Sequence, residues 1–302
     1  MRILKCYYKG IKEATFQPKM VFLLWIFNLM LGLIVFFQAF RILSRVIGSN
    51  LTADQLLKKF DFNFFFELLA YQGESIRSVF SMIFILFFIY FLVSIFLSGG
   101  ILFTLTHPRK LNYFENNKES FAQVFFQGGG KFFGRFFRLA IYSLILWIAL
   151  IGIYFLMSFL SKVLTNHGAN EQLAYYLFWV RIGVGLFLIF LIKMILDYTR
   201  IKIVNENCRK VFSSLLKIIK FVFKKLAQTL ALYYSLLFAG LILFGIYFAL
   251  KQLIPVDSLV TIVVLLFIQQ IFIASRGWLK IAFLAAQLRF YSSDHSLNSK
   301  IF

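Results

Sequence analysis

The stretch RKVFSSLLKIIKFVFKKLAQTLALYYSLLFAGLILFGIYFAL, residues 209–250, decides the fold class of this chain. At ~100° per residue, its first part, residues 209–225, places Lys, Arg and Ser on one face of a helix and Leu, Ile, Val and Phe on the other. Its second part, residues 229–250, is apolar and long enough to cross a ~30 Å hydrocarbon core, which takes about 20 residues. A basic amphipathic segment followed by an apolar span is typical of a helical membrane protein.

Five further apolar stretches have a comparable length, and the overall composition agrees with them. Apolar residues make up 61% of the 302-residue chain, more than soluble globular domains contain. We therefore predict an all-α, polytopic membrane protein that forms a single integral membrane domain, residues 1–302. The six predicted transmembrane helices are residues 20–43, 79–105, 136–160, 176–196, 229–250 and 258–275.

The connections between these spans alternate in charge, and this alternation predicts the orientation. The N-terminal segment, the second and fourth connections and the C-terminal tail are rich in Lys and Arg, whereas the other connections balance basic residues with Asp and Glu. Because basic loops stay in the cytoplasm, we expect a multi-pass protein of a bacterial cytoplasmic membrane with both termini inside. The net charge of +20 is spread between the spans, which favours anionic phospholipid over nucleic acid as the partner.

A basic amphipathic helix precedes the first, third and fifth spans, so the chain is predicted to repeat. Each of three units, residues 1–105, 106–200 and 201–302, would be an interfacial helix followed by a transmembrane hairpin. The first unit has a long outer connection at residues 44–78, which we expect to contain a short surface helix. Three glycines at residues 128–130 are expected to break the second interfacial helix, since a phosphate-binding loop would need a preceding strand and a Gly-Lys-Ser/Thr ending.

The basic side chains of these interfacial helices are candidates for contact with lipid headgroups. We expect them mainly to anchor the helices to the inner leaflet, at about 1 kcal/mol for each basic residue near an anionic surface. Recognition of a particular headgroup or of an acidic partner protein is the alternative. The candidates are Lys5, Lys9, Lys12, Lys131, Arg135, Lys210, Lys217, Lys220, Lys224 and Lys225.

Two short stretches that follow the fourth and sixth spans carry a family resemblance. They are DYTRIKIV, residues 197–204, and RGWLKIAF, residues 276–283. With the three-unit pattern, they resemble six-helix bacterial membrane proteins related to the membrane domain fused to some glycerophosphodiester phosphodiesterases. The resemblance covers most of the chain and implies a six-helix integral fold, and most such relatives have no assigned activity. These 302 residues contain no phosphodiesterase catalytic domain, so the resemblance implies no hydrolysis.

Asp197 is the acidic residue nearest to the interior of a predicted span. Lys193 precedes it by four residues and Arg200 follows it by three, so a helical ion pair at the cytoplasmic interface is the simplest interpretation. A proton or cation site in the bundle is the alternative, because ionisable groups at membrane depth are costly and often functional.

Three of the side-chain amides within predicted spans complete a candidate polar site in the bundle. Asn28 belongs to the first span, and Gln269 and Gln270 lie near the middle of the sixth. Amides in lipid usually hydrogen-bond across helices, so we expect these to hold the bundle together. Contact with a substrate is the alternative.

Catalytic and cofactor-binding motifs are not recognisable in the sequence. His107, His167 and His295 lie in different segments and do not predict a metal site, and no Ser, His and Asp set has a known context. We therefore expect a non-enzymatic protein without a cofactor, a scaffold or subunit in an envelope or lipid-related process that has a membrane-protein partner. Transport of a lipid or another amphiphile is the alternative, since many carriers are built from repeats.

Overall fold

The computed structural model describes residues 2–47, 73–107, 120–166, 171–255 and 258–298. Over these residues the chain forms eight α-helices and no strand. The helices are α1 (Arg2–Thr15), α2 (Pro18–Ile47), α3 (Gly73–Thr106), α4 (Phe121–Asn166), α5 (Glu171–Asn205), α6 (Val211–Lys224), α7 (Leu226–Leu253) and α8 (Leu259–Asn298).

Six of these helices are long and apolar enough to cross a membrane, and each overlaps one predicted span. The candidate spans are Pro18–Gln38, Phe80–Thr106, Phe121–Leu164, Gln172–Asn205, Leu226–Leu253 and Leu259–Asp294. The prediction of an all-helical chain with six apolar candidate spans is therefore confirmed, and the chain fits a multi-pass membrane protein. The surface helix predicted within residues 44–78 falls largely on residues outside the described ranges.

The contacts divide the chain into two compact units, residues 1–18 with 95–302, and residues 19–94. In the smaller unit, the rings of Phe27 in α2 and Tyr90 in α3 stack with their centroids 6.0 Å apart. The predicted division into three repeats, with boundaries after residues 105 and 200, stays a prediction.

Helix α4 is continuous through its three glycines, so the predicted break at residues 128–130 is wrong. The glycines allow a close approach of α3 instead. A Cβ atom on Gly129 would lie 2.6 Å from Cζ of Phe96, and one on Gly128 would collide with the side chain of Phe103. A glycine inside a helix costs about 1 kcal/mol relative to alanine, and here the packing of aromatic side chains against the bare backbone offsets that cost.

The longest helices exceed the thickness of a bilayer, and their buried residues gather at one end. With 46 residues, α4 is about 69 Å long at ~1.5 Å per residue. In the larger unit most buried side chains lie at the end of α3, at the start of α4, at the end of α5, along α6, at the start of α7 and in the second half of α8. They include Phe125, Phe132, Phe136, Tyr198, Ile201, Ile218, Val222, Ala286 and Phe290. We call this region the packed end.

Away from the packed end, the same helices expose their apolar side chains on most faces. Ile148 and Phe155 of α4, Trp179 of α5, Phe248 of α7 and Val260 of α8 are all exposed. Water would disfavour so much apolar surface, whereas lipid tails accept it. This pattern is compatible with an integral membrane protein.

Helix α1 packs against the second half of α8. This contact brings together the first and the last helix of the larger unit. A Cβ atom on Gly10 would lie 2.5 Å from Cβ of Ala286, so the two backbones are in direct contact. At the ends of this contact, Arg289 Nε donates a hydrogen bond to Oε1 of Glu13 at 2.6 Å, and Trp278 Nε1 donates to Thr15 Oγ1 at 3.2 Å. The helix predicted to lie at the membrane interface therefore has one face against protein.

Candidate functional site

The candidate site is a set of basic side chains at the packed end of the larger unit. Eight of the ten predicted headgroup residues are exposed, and Arg135 and Lys225 are half-buried. The eight are Lys5, Lys9 and Lys12 on α1, Lys131 on α4, Lys210 immediately before α6, and Lys217, Lys220 and Lys224 on α6. We call these eight residues the basic surface.

Helix α6 has three distinct faces, which a simple division into polar and apolar sides does not capture. Its buried face contains Val211, Ser214, Leu215, Ile218 and Val222, and α5 packs nearby. At about 100° per residue, a second apolar face lies roughly a third of a turn away and the lysines lie beyond it. The second apolar face is formed by the exposed side chains of Phe212, Leu216 and Phe223.

The first helix repeats this arrangement. Cys6, Gly10 and Ala14 are buried, whereas Leu4 and Tyr8 are exposed apolar residues beside Lys5, Lys9 and Lys12. Exposed apolar side chains next to lysines are the pattern by which a helix lies at a membrane interface, with the apolar groups in the acyl boundary and the lysines among the headgroups.

The scarce acidic residues at this end are neutralised within the protein. Each of the four acidic residues whose side chains the structure describes forms an ion pair with a basic residue. The pairs are Glu13 with Arg289 at 2.5 Å, Asp197 with Arg200 at 3.1 Å, Glu206 with Lys202 at 3.1 Å, and Asp294 with Lys225. No described acid is therefore left to offset the charge of the basic surface.

The two half-buried candidates make contacts within the protein instead. Lys225, between α6 and α7, pairs with Asp294 of α8, whose side chain is 6% exposed. Arg135 of α4 donates a hydrogen bond from Nη1 to Oδ1 of Asn207 at 2.7 Å. Asn207 has a positive φ of 48°, a conformation that asparagine tolerates better than most residues. Both basic residues thus hold the segment around α6 against the long helices.

A hydrogen-bond network that the sequence did not predict ties the end of α5 to α8. Tyr291 Oη donates to Oε1 of Glu206 at 2.5 Å, and Lys202 Nζ donates to Tyr291 Oη at 3.3 Å. Lys202 lies in the last turn of α5 and Glu206 follows the helix directly, four residues later, so the spacing of that pair is local in the sequence. Tyr291 is 85 residues away from Glu206, and no sequence signal links the two.

The four residues of the predicted polar site that belong to the larger unit lie in two places. Asp197 pairs with Arg200 as predicted, and Lys280 of α8 interacts electrostatically with both. Gln269 and Gln270 precede Lys280 by about ten residues on the same helix, a separation of about 16 Å along its axis. Gln269 is exposed, and Gln270 is half-buried.

The third predicted amide belongs to the smaller unit and makes a local contact. Asn28 donates a hydrogen bond from Nδ2 to the carbonyl of Leu24 at 2.7 Å. This hydrogen bond stays within α2, because the carbonyl four residues earlier on a helix lies within reach of a short polar side chain. The expected bond across helices stays a prediction.

One charged residue inside a span was missed by the sequence analysis. Arg181 of α5 donates a hydrogen bond from Nη1 to Oγ of Ser158 on α4 at 2.9 Å. Its guanidinium carbon lies 5.2 Å from the ring centroid of Tyr154 and 5.6 Å from that of Phe178. The signal was a single Arg within the apolar run at residues 176–196.

Among the described residues, no group of three His, Cys, Asp or Glu side chains could hold a metal ion. No protein-family model, curated protein or solved structure matches this chain.

Proposed function

We propose that this protein is a non-enzymatic, multi-pass protein of a bacterial cytoplasmic membrane that binds anionic phospholipid through its basic surface. In this proposal it serves as a scaffold or subunit in an envelope or lipid-related process, together with a membrane-protein partner. The observation that carries the proposal is the pairing of every described acidic side chain, which leaves eight exposed lysines without a described counter-charge.

The orientation in the membrane follows from the same surface. The basic surface lies at the packed end, and the opposite halves of the long helices expose apolar side chains. Lysines are retained in the cytoplasm during insertion and attract the anionic inner leaflet. The proposed arrangement therefore has the packed end and both termini in the cytoplasm, with α1 and α6 at the inner headgroup layer.

The proposed relationship to six-helix bacterial membrane proteins draws support from the two stretches that carry the resemblance. Residues 197–204 lie in the last two turns or so of α5, and residues 276–283 lie within α8. These two helices contact each other. Tyr198, Ile201, Ile281 and Ala282 are all completely buried. Both stretches thus contribute buried residues to the packed end. Proteins that share this fold would need similar side chains there, because buried contacts between helices tolerate few substitutions.

The test of lipid binding compares two double variants with equal loss of charge. Lys217→Gln with Lys220→Gln removes two lysines from the basic surface, and Lys162→Gln with Lys251→Gln removes two exposed lysines from the other ends of α4 and α7. The lipid retained after purification from nanodiscs of phosphatidylglycerol and phosphatidylcholine is then quantified. The first variant should lose most of its preference for phosphatidylglycerol while the second keeps it; equal retention by both would contradict the proposal.

Transport of a lipid or another amphiphile is the second candidate function, and Arg181 favours it. A charged residue inside a span is a functional-site hypothesis by default because it is costly to bury in lipid. Reconstituted protein should then move a fluorescent phospholipid between leaflets faster than empty vesicles do. An exchange rate equal to that of empty vesicles would exclude this function.

A further inference from the structure

Arg181 carries a positive charge that no described carboxylate neutralises. The described acids pair with Arg289, Arg200, Lys202 and Lys225, all at the packed end. Arg181 Nη1 donates a hydrogen bond to the neutral hydroxyl of Ser158, and Arg181 Nε is buried without a hydrogen-bond partner. Two aromatic rings cover the guanidinium. The serine hydroxyl and the two rings lower the free-energy cost of desolvating the guanidinium, but they do not neutralise its charge.

The depth of Arg181 follows from the aromatic residues that precede it on α5. Tyr175, Tyr176 and Trp179 are exposed, and Tyr175 contacts Trp179 with ring centroids 6.2 Å apart. Exposed Tyr and Trp residues near the end of a span mark the membrane interface. Arg181 lies five residues beyond Tyr176, or about 8 Å deeper along the helix, a distance that an arginine side chain can bridge to the phosphate layer.

This position is far from the basic surface. Arg181 and Asp197 lie on the same helix, sixteen residues or about 24 Å apart. The two ends of α5 would therefore contact different leaflets. An anionic group that pairs with Arg181 must come from the leaflet opposite the basic surface.

We propose that Arg181 binds the phosphate of a phospholipid in that opposite leaflet, at the surface between α4 and α5. A guanidinium presents a planar fork of donors that fits phosphate oxygens, and only one of these donors is used by Ser158. The rings of Tyr154 and Phe178 lie beside the guanidinium. The acyl chains would lie on the exposed apolar side chains of α4, among them Phe155 and Phe159. The site is distinct from the basic surface and does not rest on the function proposed for it.

The test measures phosphatidylglycerol bound to protein in nanodiscs with phosphatidylcholine, by native mass spectrometry. Arg181→Gln should weaken the binding of one phosphatidylglycerol molecule about tenfold, the effect of losing one strong charged contact. Lys251→Gln is the matched control, because it removes an exposed charge from the end of α7 that lies away from the packed end. This variant should bind as much phosphatidylglycerol as the wild type. Equal binding by Arg181→Gln and the wild type would overturn the site.

A second measurement uses the wild-type chain and so does not depend on the folding of a variant. A phospholipid with a photoreactive group near its headgroup is cross-linked, and the labelled peptides are identified. Labels within residues 151–162 or 175–185 support the site, whereas labels confined to α1 and α6 overturn it.

Inorganic phosphate at millimolar concentration should leave the labelling unchanged; displacement of the label by phosphate would overturn a lipid as the occupant. If the Lys217→Gln, Lys220→Gln variant loses phosphatidylglycerol and Arg181→Gln does not, the function proposed for the basic surface is supported and the site at Arg181 is overturned.

Discussion

Gly10 of α1 and Ala286 of α8 touch backbone to backbone, although 276 residues separate them in the sequence. A Cβ atom on Gly10 would lie 2.6 Å from the backbone nitrogen of Ala286. Small residues permit this kind of close helix packing in membrane proteins. The contact presents Lys5, Lys9 and Lys12 outward from α1, so it fixes one part of the basic surface.

Replacing Gly10 by alanine should therefore destabilise the protein. The added methyl group must push α1 away from α8, and overpacking of this kind typically costs about 1–3 kcal/mol. Gly245→Ala is the control, because no atom lies within 4 Å of the added Cβ and a helical glycine gains up to about 1 kcal/mol on this change. Unfolding in detergent by increasing SDS should show lower stability for Gly10→Ala only, and equal stabilities would argue against the close contact.

Two neighbouring glycines of α4 should respond in opposite directions to the same substitution. Gly128→Ala places a methyl group against the Phe103 side chain, whereas Gly130→Ala meets nothing within 4 Å. We expect a loss of about 1–3 kcal/mol for the first and a gain of up to about 1 kcal/mol for the second. Thermal unfolding followed by circular dichroism measures both. A gain for both variants would show that α4 bends at the glycines instead of packing there.

The ion pair between Lys225 and Asp294 should be sensitive to loss of one partner. Asp294 has a side chain that is only 6% exposed, and an uncompensated buried charge typically costs about 3–5 kcal/mol. Lys225→Met should accordingly destabilise the protein more than Lys224→Met, which alters an exposed lysine on the adjacent position. Adding Asp294→Leu to Lys225→Met should restore part of the loss, and a double variant no better than Lys225→Met would contradict this account of the pair.

Asn207 should reveal how the turn between α5 and α6 is held. Asn207→Ala loses the hydrogen bond from Arg135 and must keep a positive φ, at a cost of about 1–2 kcal/mol for the backbone alone. Asn207→Gly loses the same hydrogen bond but adopts this φ without strain. The alanine variant should unfold first in a denaturant series, followed by glycine and then the wild type. Equal stabilities of the two variants would mean that the positive φ at residue 207 does not affect the free energy of unfolding.

The six apolar spans could be predicted because their length and composition are local properties of the chain. The break at residues 128–130 was predicted wrongly because glycine serves flexibility and close packing alike, and only the positions of Phe96 and Phe103 distinguish these roles. The packing of α1 on α8 depends on contacts between the two ends of the sequence. Asn28 lies in a predicted span, but the sequence alone cannot show that its bond goes to its own helix.

The candidate site was likewise predictable in part. Exposed lysines on α1 and α6 follow from helical periodicity, whereas the division of α6 into a buried face and a second, exposed apolar face depends on where the other helices pack. Lys225 lies on the predicted basic face together with Lys217, Lys220 and Lys224, but its side chain pairs with Asp294. A buried carboxylate attracts a nearby cation more strongly than a solvent-exposed carboxylate does.

The most direct test of the central claim asks whether α6 lies at the bilayer surface. Spin labels at Phe223→Cys and Lys220→Cys, in a chain with Cys6→Ala and Cys208→Ser, are compared in nanodiscs that contain phosphatidylglycerol. Oxygen collisions report contact with acyl chains, and a water-soluble nickel complex reports exposure to water. We expect the label at residue 223 to be accessible to oxygen and the one at residue 220 to the nickel complex. Equal access of the nickel complex to both positions would contradict the proposed binding of the basic surface to the membrane.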